Sequence, residues 1–367
     1  MVIMFNDLYK NKRVLVTGHT GFKGSWLTMW LHNLGAKIAG YSIDIPTDPS
    51  HFDELNLINK IDHNIGDIRD YKKLYKVCEN FKPEIIFHMA AQPLVRESYE
   101  IPKETFEVNC VGTLNILEVI RNLKDVVKVG VLITSDKAYK NVEWVHGYRE
   151  NDLLGGEDPY SGSKGAAELV AYSYMKSFFK KKSYPNIATV RAGNVIGGGD
   201  WAKDRIVPDI IKNWSKNKPV LIRNIKSTRP WQHVLEPLSG YLNLGEKLYK
   251  INSKYKNHSF NFGPDSDVNK TVDELINEMQ KYWKNNSGWN HEPIETQKKE
   301  SILLKLSCDK ANIFLGWYPV LTFQDTIRFT SLWYENFYQN FNTEELTIKQ
   351  IIEFCKIARK KSIKWAI

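Results

Sequence analysis

Cysteine is scarce in this chain of 367 residues. There are four, Cys78, Cys110, Cys308 and Cys355, far apart and without a C-x-x-C pair. That excludes a disulfide scaffold and a thiolate zinc finger, and it suits reduced thiols in a cytoplasmic protein. No apolar run reaches the ~18 residues that suggest a membrane-spanning helix. Met1–Lys12 has neither the apolar core nor the small-residue cleavage site of a secretory signal. The expectation is a soluble cytoplasmic protein with no membrane partner. Acidic residues are outnumbered, 42 against 51 basic, which leaves a net charge of +9. The surplus lysines are scattered or sit in surface-like runs such as Lys180-Lys181-Lys182. There is no zinc-finger spacing and no RNP-type aromatic motif, so a nucleic-acid partner is not expected. A mild basic surplus suits an anionic small molecule such as a nucleotide diphosphate. His19, His88, His146 and His233 lack metal-ligand spacing, and no metal is expected. Repeats and low-complexity segments are also absent. What remains is a globular chain long enough for one large or two coupled domains.

The first positive signal is Thr17-Gly18-His19-Thr20-Gly21-Phe22-Lys23-Gly24. It follows the apolar run Val14-Leu15-Val16 and leads into an amphipathic run, Ser25–Leu34. Strand, glycine-rich turn, helix is the order of a dinucleotide-binding unit. Gly18 permits the tight turn, Gly21 lets the backbone approach a pyrophosphate, and Gly24 lets the helix pack closely. The helix N-terminus offers free N–H groups to the phosphates. Asp44 stands about 20 residues beyond the last glycine, the distance at which an acid accepts from the adenosine ribose. A carboxylate there would repel a 2′-phosphate, which favours NAD over NADP.

The first half alternates strand and helix patterns. Strands are expected at Val14–Thr17, Lys37–Ile43, Ile61–Ile65, Ile85–His88, Val129–Ser135 and Ile187–Arg191. Helices are expected at Ser25–Leu34, Tyr71–Asn80, Glu104–Leu123 and Pro159–Phe179. Alternation with near-continuous apolar strands predicts an α/β fold, a Rossmann-type doubly wound parallel sheet. Ser259–Gly263 reads as a strand returning to that sheet. After about Gly197 the alternation weakens and Trp and Tyr become dense. The expected division is a dinucleotide-binding domain over residues 1–196, with a returning segment near 231–263. Residues 197–230 and 264–367 form a smaller mixed α/β substrate lobe.

Tyr160-Ser161-Gly162-Ser163-Lys164 sets a phenol and an ammonium four residues apart, on one face of a helix. The ammonium is expected to lower the phenol below its usual pKa of ~10. A phenolate so poised can take a hydroxyl proton as hydride leaves the same carbon. The fifth strand ends in Thr134-Ser135-Asp136-Lys137. Ser135 is placed to hydrogen-bond the reacting hydroxyl. Asp136 and Lys137 add an acid and a base that a simple dehydrogenase does not need. They point to a second proton chemistry, such as elimination of water, or else to a polar turn with Lys137 in solvent.

Thr17–Gly24, His88-Met89-Ala90-Ala91-Gln92, Asn109-Cys110-Val111-Gly112-Thr113, Thr134–Lys137 and Tyr160–Lys164 together resemble the extended short-chain dehydrogenase/reductases. The nucleotide-sugar 4,6-dehydratase branch is the nearest. Within it the CDP-glucose subgroup is most similar, through Gly18–Trp26, Ser135–Lys137, Gly147–Asp152, Arg191–Trp201 and Arg229–Val234. The resemblance covers nearly the whole chain and is weakest after Gln280. It implies a lyase of deoxysugar biosynthesis with tightly held NAD. Tyr160 would take the sugar 4-OH proton, the 4-ketone would acidify C5–H, and loss of the C5 proton with protonation of the 6-OH would release water. Many members carry Asp-Glu where this chain has Asp136-Lys137. Asp136 is the expected acid at O6, and Lys137 the candidate base at C5.

The resemblance carries further positions over. Asp67 and Ile68 would edge the adenine. Ala90, Ala91 and Gln92 would line the cofactor diphosphate and ribose, and Asn109 would support them. Thr20, Phe22 and Lys23 belong to the cofactor turn, and Tyr160 and Lys164 face the nicotinamide as well as the sugar. Asn194, Arg205, Arg229 and Gln232 are candidates for the substrate diphosphate and nucleotide, since an Arg fork suits a diphosphate; surface ion pairing is the alternative for both arginines. Trp144, Trp201 and Trp231 either shape the sugar-nucleotide pocket or pack in the core. A nucleotide-sugar 4-epimerase, or a dehydratase of a dTDP, GDP or UDP sugar, is the competing activity. A cofactor-sensing regulatory protein of this fold is a third reading, but such proteins often lack equivalents of Tyr160 and Lys164, which are present here. The branch pairs through two helices flanking the sheet, which implies a homodimer through Glu104–Leu123 and Pro159–Phe179.

Overall fold

A computed structural model describes residues 4–222, 224–250, 253–265, 269–284, 288–291 and 303–367. Parts of the expected substrate lobe, residues 266–268, 285–287 and 292–302, therefore lie outside the described residues. Seven strands form one sheet: β1 (Arg13–Thr17), β2 (Lys37–Ser42), β3 (Asp62–Ile65), β4 (Ile85–His88), β5 (Val129–Ile133), β6 (Asn186–Ala192) and β7 (His258–Phe262). Their order is β7-β6-β5-β4-β1-β2-β3, and every neighbouring pair is parallel. The winding reverses between β1 and β4. That leaves a crevice at their carboxyl ends, where a doubly wound sheet takes its ligand.

Residue alternation assigns the two faces. Val14 and Val16 of β1 point into a core with Trp26 and Trp30 of helix α1 (Phe22–Asn33). Leu15 points the other way, to a core shared with helices α2 (Tyr71–Phe81), α3 (Gly112–Asn122) and α4 (Pro159–Ser177). Successive strand side chains leave on opposite faces, so an uninterrupted apolar strand needs helices on both sides. The first face is completed by helix α5 (Leu235–Tyr249) and by chain as far as Trp365. The second half also forms three short two-stranded ladders: Val195–Ile196 with Gln232–His233, Thr228–Arg229 with Lys270–Thr271, and Val220–Ile222 with Trp289–His291. No helix among the described residues is long and apolar enough to cross a membrane.

Two elements differ from the sequence expectation where it matters. The fifth strand ends at Ile133, not Ser135. Ser135 instead caps a tight turn over Asp136–Ala138, its Oγ accepting from the Lys137 amide at 3.2 Å. The expected helix Glu104–Leu123 is divided into Pro102–Phe106, a wide π-type turn over Glu107–Val111, and α3. The extra residue in that turn accompanies an inward Asn109, 1% exposed. Such turns recur at functional sites because they re-aim one side chain without ending the helix.

Candidate active site at the strand ends

The glycine-rich turn closes over the carboxyl end of β1. Gly18 has φ +73°, and a Cβ there would lie 2.8 Å from the Ala90 amide nitrogen. A Cβ on Gly24 would stand 2.0 Å from the Gly18 carbonyl oxygen. At Gly21 the nearest atom to a Cβ would be the Gly18 carbonyl oxygen at 3.5 Å, an ordinary van der Waals contact, so a methyl fits there without a shift. Gly24→Ala should therefore push α1 off the turn and destabilise the protein by about 2 kcal/mol or more. Urea unfolding checks this, against Gly21→Ala, which should unfold close to wild type while losing affinity for NAD.

Thr20 Oγ1 donates to the Asp44 carbonyl at 2.6 Å, which ties the turn to the exposed loop beyond β2 that carries the Asp44 side chain. His19 is buried, in contact with Ser42 Oγ at 2.9 Å and with His63 at 2.7 Å; burial pushes its pKa down to about 3 and keeps it neutral. The Asp67 carboxylate is engaged by Arg69, whose guanidinium and amide hold it below its ordinary range. Ile68 is buried, and its carbonyl accepts from Asn115 Nδ2. Thr17 Oγ1 accepts from the Ala90 amide; Ala90 and Ala91 are half-buried at the mouth of the crevice.

Asn109 connects the segment after β4 to helix α4. Its Oδ1 accepts from the Gln92 amide at 2.9 Å, and its Nδ2 donates to the Gln92 carbonyl and to Ser163 Oγ at 2.9 Å. Ser163 Oγ in turn donates to the Tyr160 carbonyl. Helix α4 starts sharply because Asp158 caps it and Pro159 holds its first position. That fixes Tyr160 and Lys164 within the first two turns, 8% and 5% exposed.

The Lys164 ammonium lies 5.9 Å from the centre of the Tyr160 ring. The expected lowering of the phenol pKa does not occur in the protein alone. Burial pushes Tyr160 up to about 12, with the Ser135 hydroxyl pulling it back. Burial and Lys23 push Lys164 down to about 7. Each site penalises its own charged form more than it rewards the neighbour's. Lys164 therefore binds fewer protons folded than unfolded between about 7 and its ordinary ~10.4, and stability rises with pH across that window. Lys164→Met should melt above wild type at neutral pH, with the gap closing as pH rises; thermal melts at two pH values check this.

Ser135 and Asp136 are buried and Lys137 is half-buried. Ser135 Oγ donates to Asp136 Oδ1 at 3.0 Å. Burial raises the Asp136 pKa, opposed by Lys137, the Ser135 bond and Lys23. The turn thus offers a carboxyl group with its pKa raised by burial, close to a phenol.

A cleft opens next to this turn, lined by Asp136, Gly193, Pro230, Gln232, Asp265 and Lys305. Gln232 Nε2 donates to the Phe262 carbonyl, and its buried Oε1 has no partner among the described residues. Asn194 follows Gly193 in the turn between β6 and the ladder at Val195–Ile196 and is half-buried. Arg205 Nη1 donates to Asp200 at 2.8 Å, so this guanidinium is already ion-paired, with Tyr160 and Lys23 among its electrostatic neighbours. Arg229 Nη1 donates to the Thr228 carbonyl at the ladder with Lys270–Thr271. Trp201 packs in the core against Trp333, Tyr334 and Phe337. Trp231 is buried with its Nε1 on the Lys270 carbonyl, and Trp144 is 40% exposed. Among the described residues no group of three or more His, Cys, Asp or Glu could hold a metal ion.

The profile of the family described as GDP-mannose 4,6 dehydratase matches residues 15–330. This chain belongs to that family. The GDP-mannose 4,6-dehydratase family assignment agrees with a curated relative, the CDP-glucose 4,6-dehydratase of Salmonella typhimurium, 49% identical over 333 residues, 90% of this chain and 92% of that one. Among solved structures, dTDP-glucose 4,6-dehydratase of Bacillus anthracis in complex with NAD superposes with TM-score 0.72 at 20% identity, covering 89% of this chain and 97% of that one. UDP-glucose-4-epimerase of Stenotrophomonas maltophila superposes with TM-score 0.77 at 19% identity, covering 90% and 100%. These superpositions establish the family's fold.

Sequence reasoning passed over Lys305 and Asp265, which reach the cleft from segments without a motif. It also passed over Glu168, Arg191 and Tyr139 as side chains with a task. For Glu168 a signal was present: Tyr160, Lys164 and Glu168 recur every four residues on one face, and an acid in the Ala-rich stretch of a buried helix needs a partner.

Proposed function

We propose that this chain is an NAD-dependent nucleotide-sugar 4,6-dehydratase that converts CDP-D-glucose to CDP-4-keto-6-deoxy-D-glucose and water. The observation that carries the reading is the turn Ser135-Asp136-Lys137 set against Tyr160, a buried acid with a raised pKa where a 4-epimerase needs none. The near-half identity to a CDP-glucose enzyme over nine-tenths of the chain supports it.

The crevice fits a dinucleotide. A Cβ at Gly18 or Gly24 would collide with backbone, and the Lys23 ammonium has no ion pair among the described residues. Gly18, Thr20, Gly21, Phe22, Lys23 and Gly24 would hold the diphosphate, and Asp44 the adenosine ribose. Asp67 and Ile68 would edge the adenine. Ala90, Ala91 and Gln92 would line the cofactor diphosphate and ribose, with Asn109 supporting them through its bonds to Gln92. NAD would supply a hydride acceptor for C4 and a hydride donor for C6.

Tyr160 takes the O4 proton, with Ser135 hydrogen-bonded beside it and Lys164 stabilising the phenolate when charged. Lys137 removes the C5 proton and returns a proton to C5 when hydride is delivered to C6. Asp136 protonates the departing 6-OH, so one water leaves for each sugar. Asn194, Arg205, Arg229 and Gln232 hold the nucleotide diphosphate. Residues 197–230 and 264–367 act as the substrate lobe, and residues 1–196 with the return near 231–263 as the dinucleotide-binding domain. We place the protein in the cytoplasm as a homodimer joined through residues 104–123 and 159–179. Phe106, Val111, Leu169, Tyr172 and Phe178 are exposed there, which supports that face. Light scattering on a sizing column should give twice the chain mass; a monomer would remove the claim.

Incubation with CDP-glucose should give a product whose 4-keto group absorbs in base, and dTDP-, GDP- and UDP-glucose should give little. Recovery of a C4 epimer instead would favour the epimerase reading. In Lys137→Ala, deuterium exchange at C5 should stop; undiminished exchange would assign the base elsewhere.

A further inference from the structure

Further along the same face of the catalytic helix, beyond Lys164, lies a buried ion pair that the chemistry above does not use. Arg191 of β6 and Glu168 of α4 are each 2% exposed. Arg191 Nε donates to Glu168 Oε1 at 2.8 Å and Nη2 to Oε2 at 2.9 Å, a two-point fork. Both residues also hold something else. Glu168 Oε1 accepts from Thr134 Oγ1, and Oε2 from Thr189 Oγ1 at 2.9 Å. Arg191 Nη1 donates to Tyr139 Oη at 2.7 Å and to the Glu150 carbonyl at 3.1 Å. Tyr139 Oη donates onward to Asn261 Oδ1 of β7.

The two tethered residues decide the meaning. Thr134 immediately precedes the turn that carries Ser135, Asp136 and Lys137, and Tyr139 immediately follows it. One buried ion pair thus grips both ends of the acid/base turn. The same glutamate lies one helical turn beyond Lys164 and two beyond Tyr160. The phenol and the acid are therefore built on two elements joined through a single carboxylate.

We propose that Glu168 and Arg191 are positioning residues that fix the acid/base turn relative to Tyr160, and so keep elimination in step with C4 oxidation. This rests on the dehydratase reading. Buried ion pairs contribute little net stability, so holding geometry is the more telling role for one that also engages the side chains of Thr134, Thr189 and Tyr139. Loosening the turn leaves Tyr160 and Lys164 on their helix but lets Asp136 and Lys137 drift. Oxidation then outruns elimination, and the 4-keto sugar waits beside reduced nicotinamide.

Thr134→Val and Tyr139→Phe each remove one tether and leave the ion pair intact, so folding is little threatened. Each should lower kcat about 10- to 100-fold, the scale of a misplacement near 1 Å. KM for CDP-glucose should stay within about twofold, because the nucleotide is held elsewhere. In the steady state both should show reduced-nicotinamide absorbance that wild type lacks. Glu168→Gln should show the same signature, more strongly. Normal turnover in both tether variants would overturn the proposal, as would a loss of kcat without that absorbance. Absence of 4-keto product from wild type would sink the dehydratase reading instead, so the two failures are distinguishable.

Discussion

Tyr160→Phe is expected to lower kcat by about 10²- to 10⁴-fold, the range for losing a positioned proton-transfer group. The phenol is 8% exposed and faces the Ser135 hydroxyl. Phenylalanine keeps the ring and its packing, so melting temperature and NAD binding should hold. KM should change little, since the hydroxyl acts on the reacting centre and not on the nucleotide. The distinguishing readout is reduced nicotinamide after mixing with CDP-glucose: none should form, because the block precedes oxidation. Near-normal turnover in Tyr160→Phe would remove Tyr160 as the base.

Asp136→Asn should give a loss of similar size at a later step. Asparagine preserves shape and can still accept from Ser135, but it carries no acidic proton. Oxidation at C4 should proceed, so reduced nicotinamide should appear and persist, with C5–H exchange retained through Lys137. Wild type adds a pH signature. Burial holds Asp136 above the usual carboxylate range, so its protonated fraction extends to higher pH and falls once pH passes that raised value. Elimination should therefore decline on the alkaline side while oxidation does not. Asparagine at 136 releasing product at the wild-type rate would exclude the acid role.

The inner strands were legible because they are apolar on both faces, whereas the edge strand β3, Asp62–Ile65, is mostly polar; the glycine-rich turn was legible because Gly18 and Gly24 meet backbone that tolerates no Cβ. The return of β7 to the sheet could also be read, from Ser259 to Gly263. What escaped was set by packing at a distance. The π-type turn at Glu107–Val111 has no local marker, since helical propensity runs through it and the gain, a buried Asn109 joining Gln92 to Ser163, comes from other elements. Ser135 lying on a turn instead of a strand depends on its own hydroxyl capping the Lys137 amide. The acidity of Tyr160 was misjudged because a four-residue spacing reports a neighbour's charge but not the depth at which both groups are buried. Likewise the Arg205 fork was legible, but its pairing with Asp200 required the fold.

The placement of β7 carries a consequence for how the molecule is made. One face of β1, β4 and β5 is covered by Leu235, Leu238 and Tyr241 and by rings as late as Trp333 and Trp365. A nascent chain that has emerged through β6 therefore presents Val16, Phe87 and Val131 with half their cover unsynthesised. The sheet's last edge and much of that cover arrive only with the final third of translation, so folding cannot finish domain by domain behind the ribosome. A fragment stopping at residue 196 should bind chaperones and aggregate, whereas a full-length chain cleaved after synthesis should hold together.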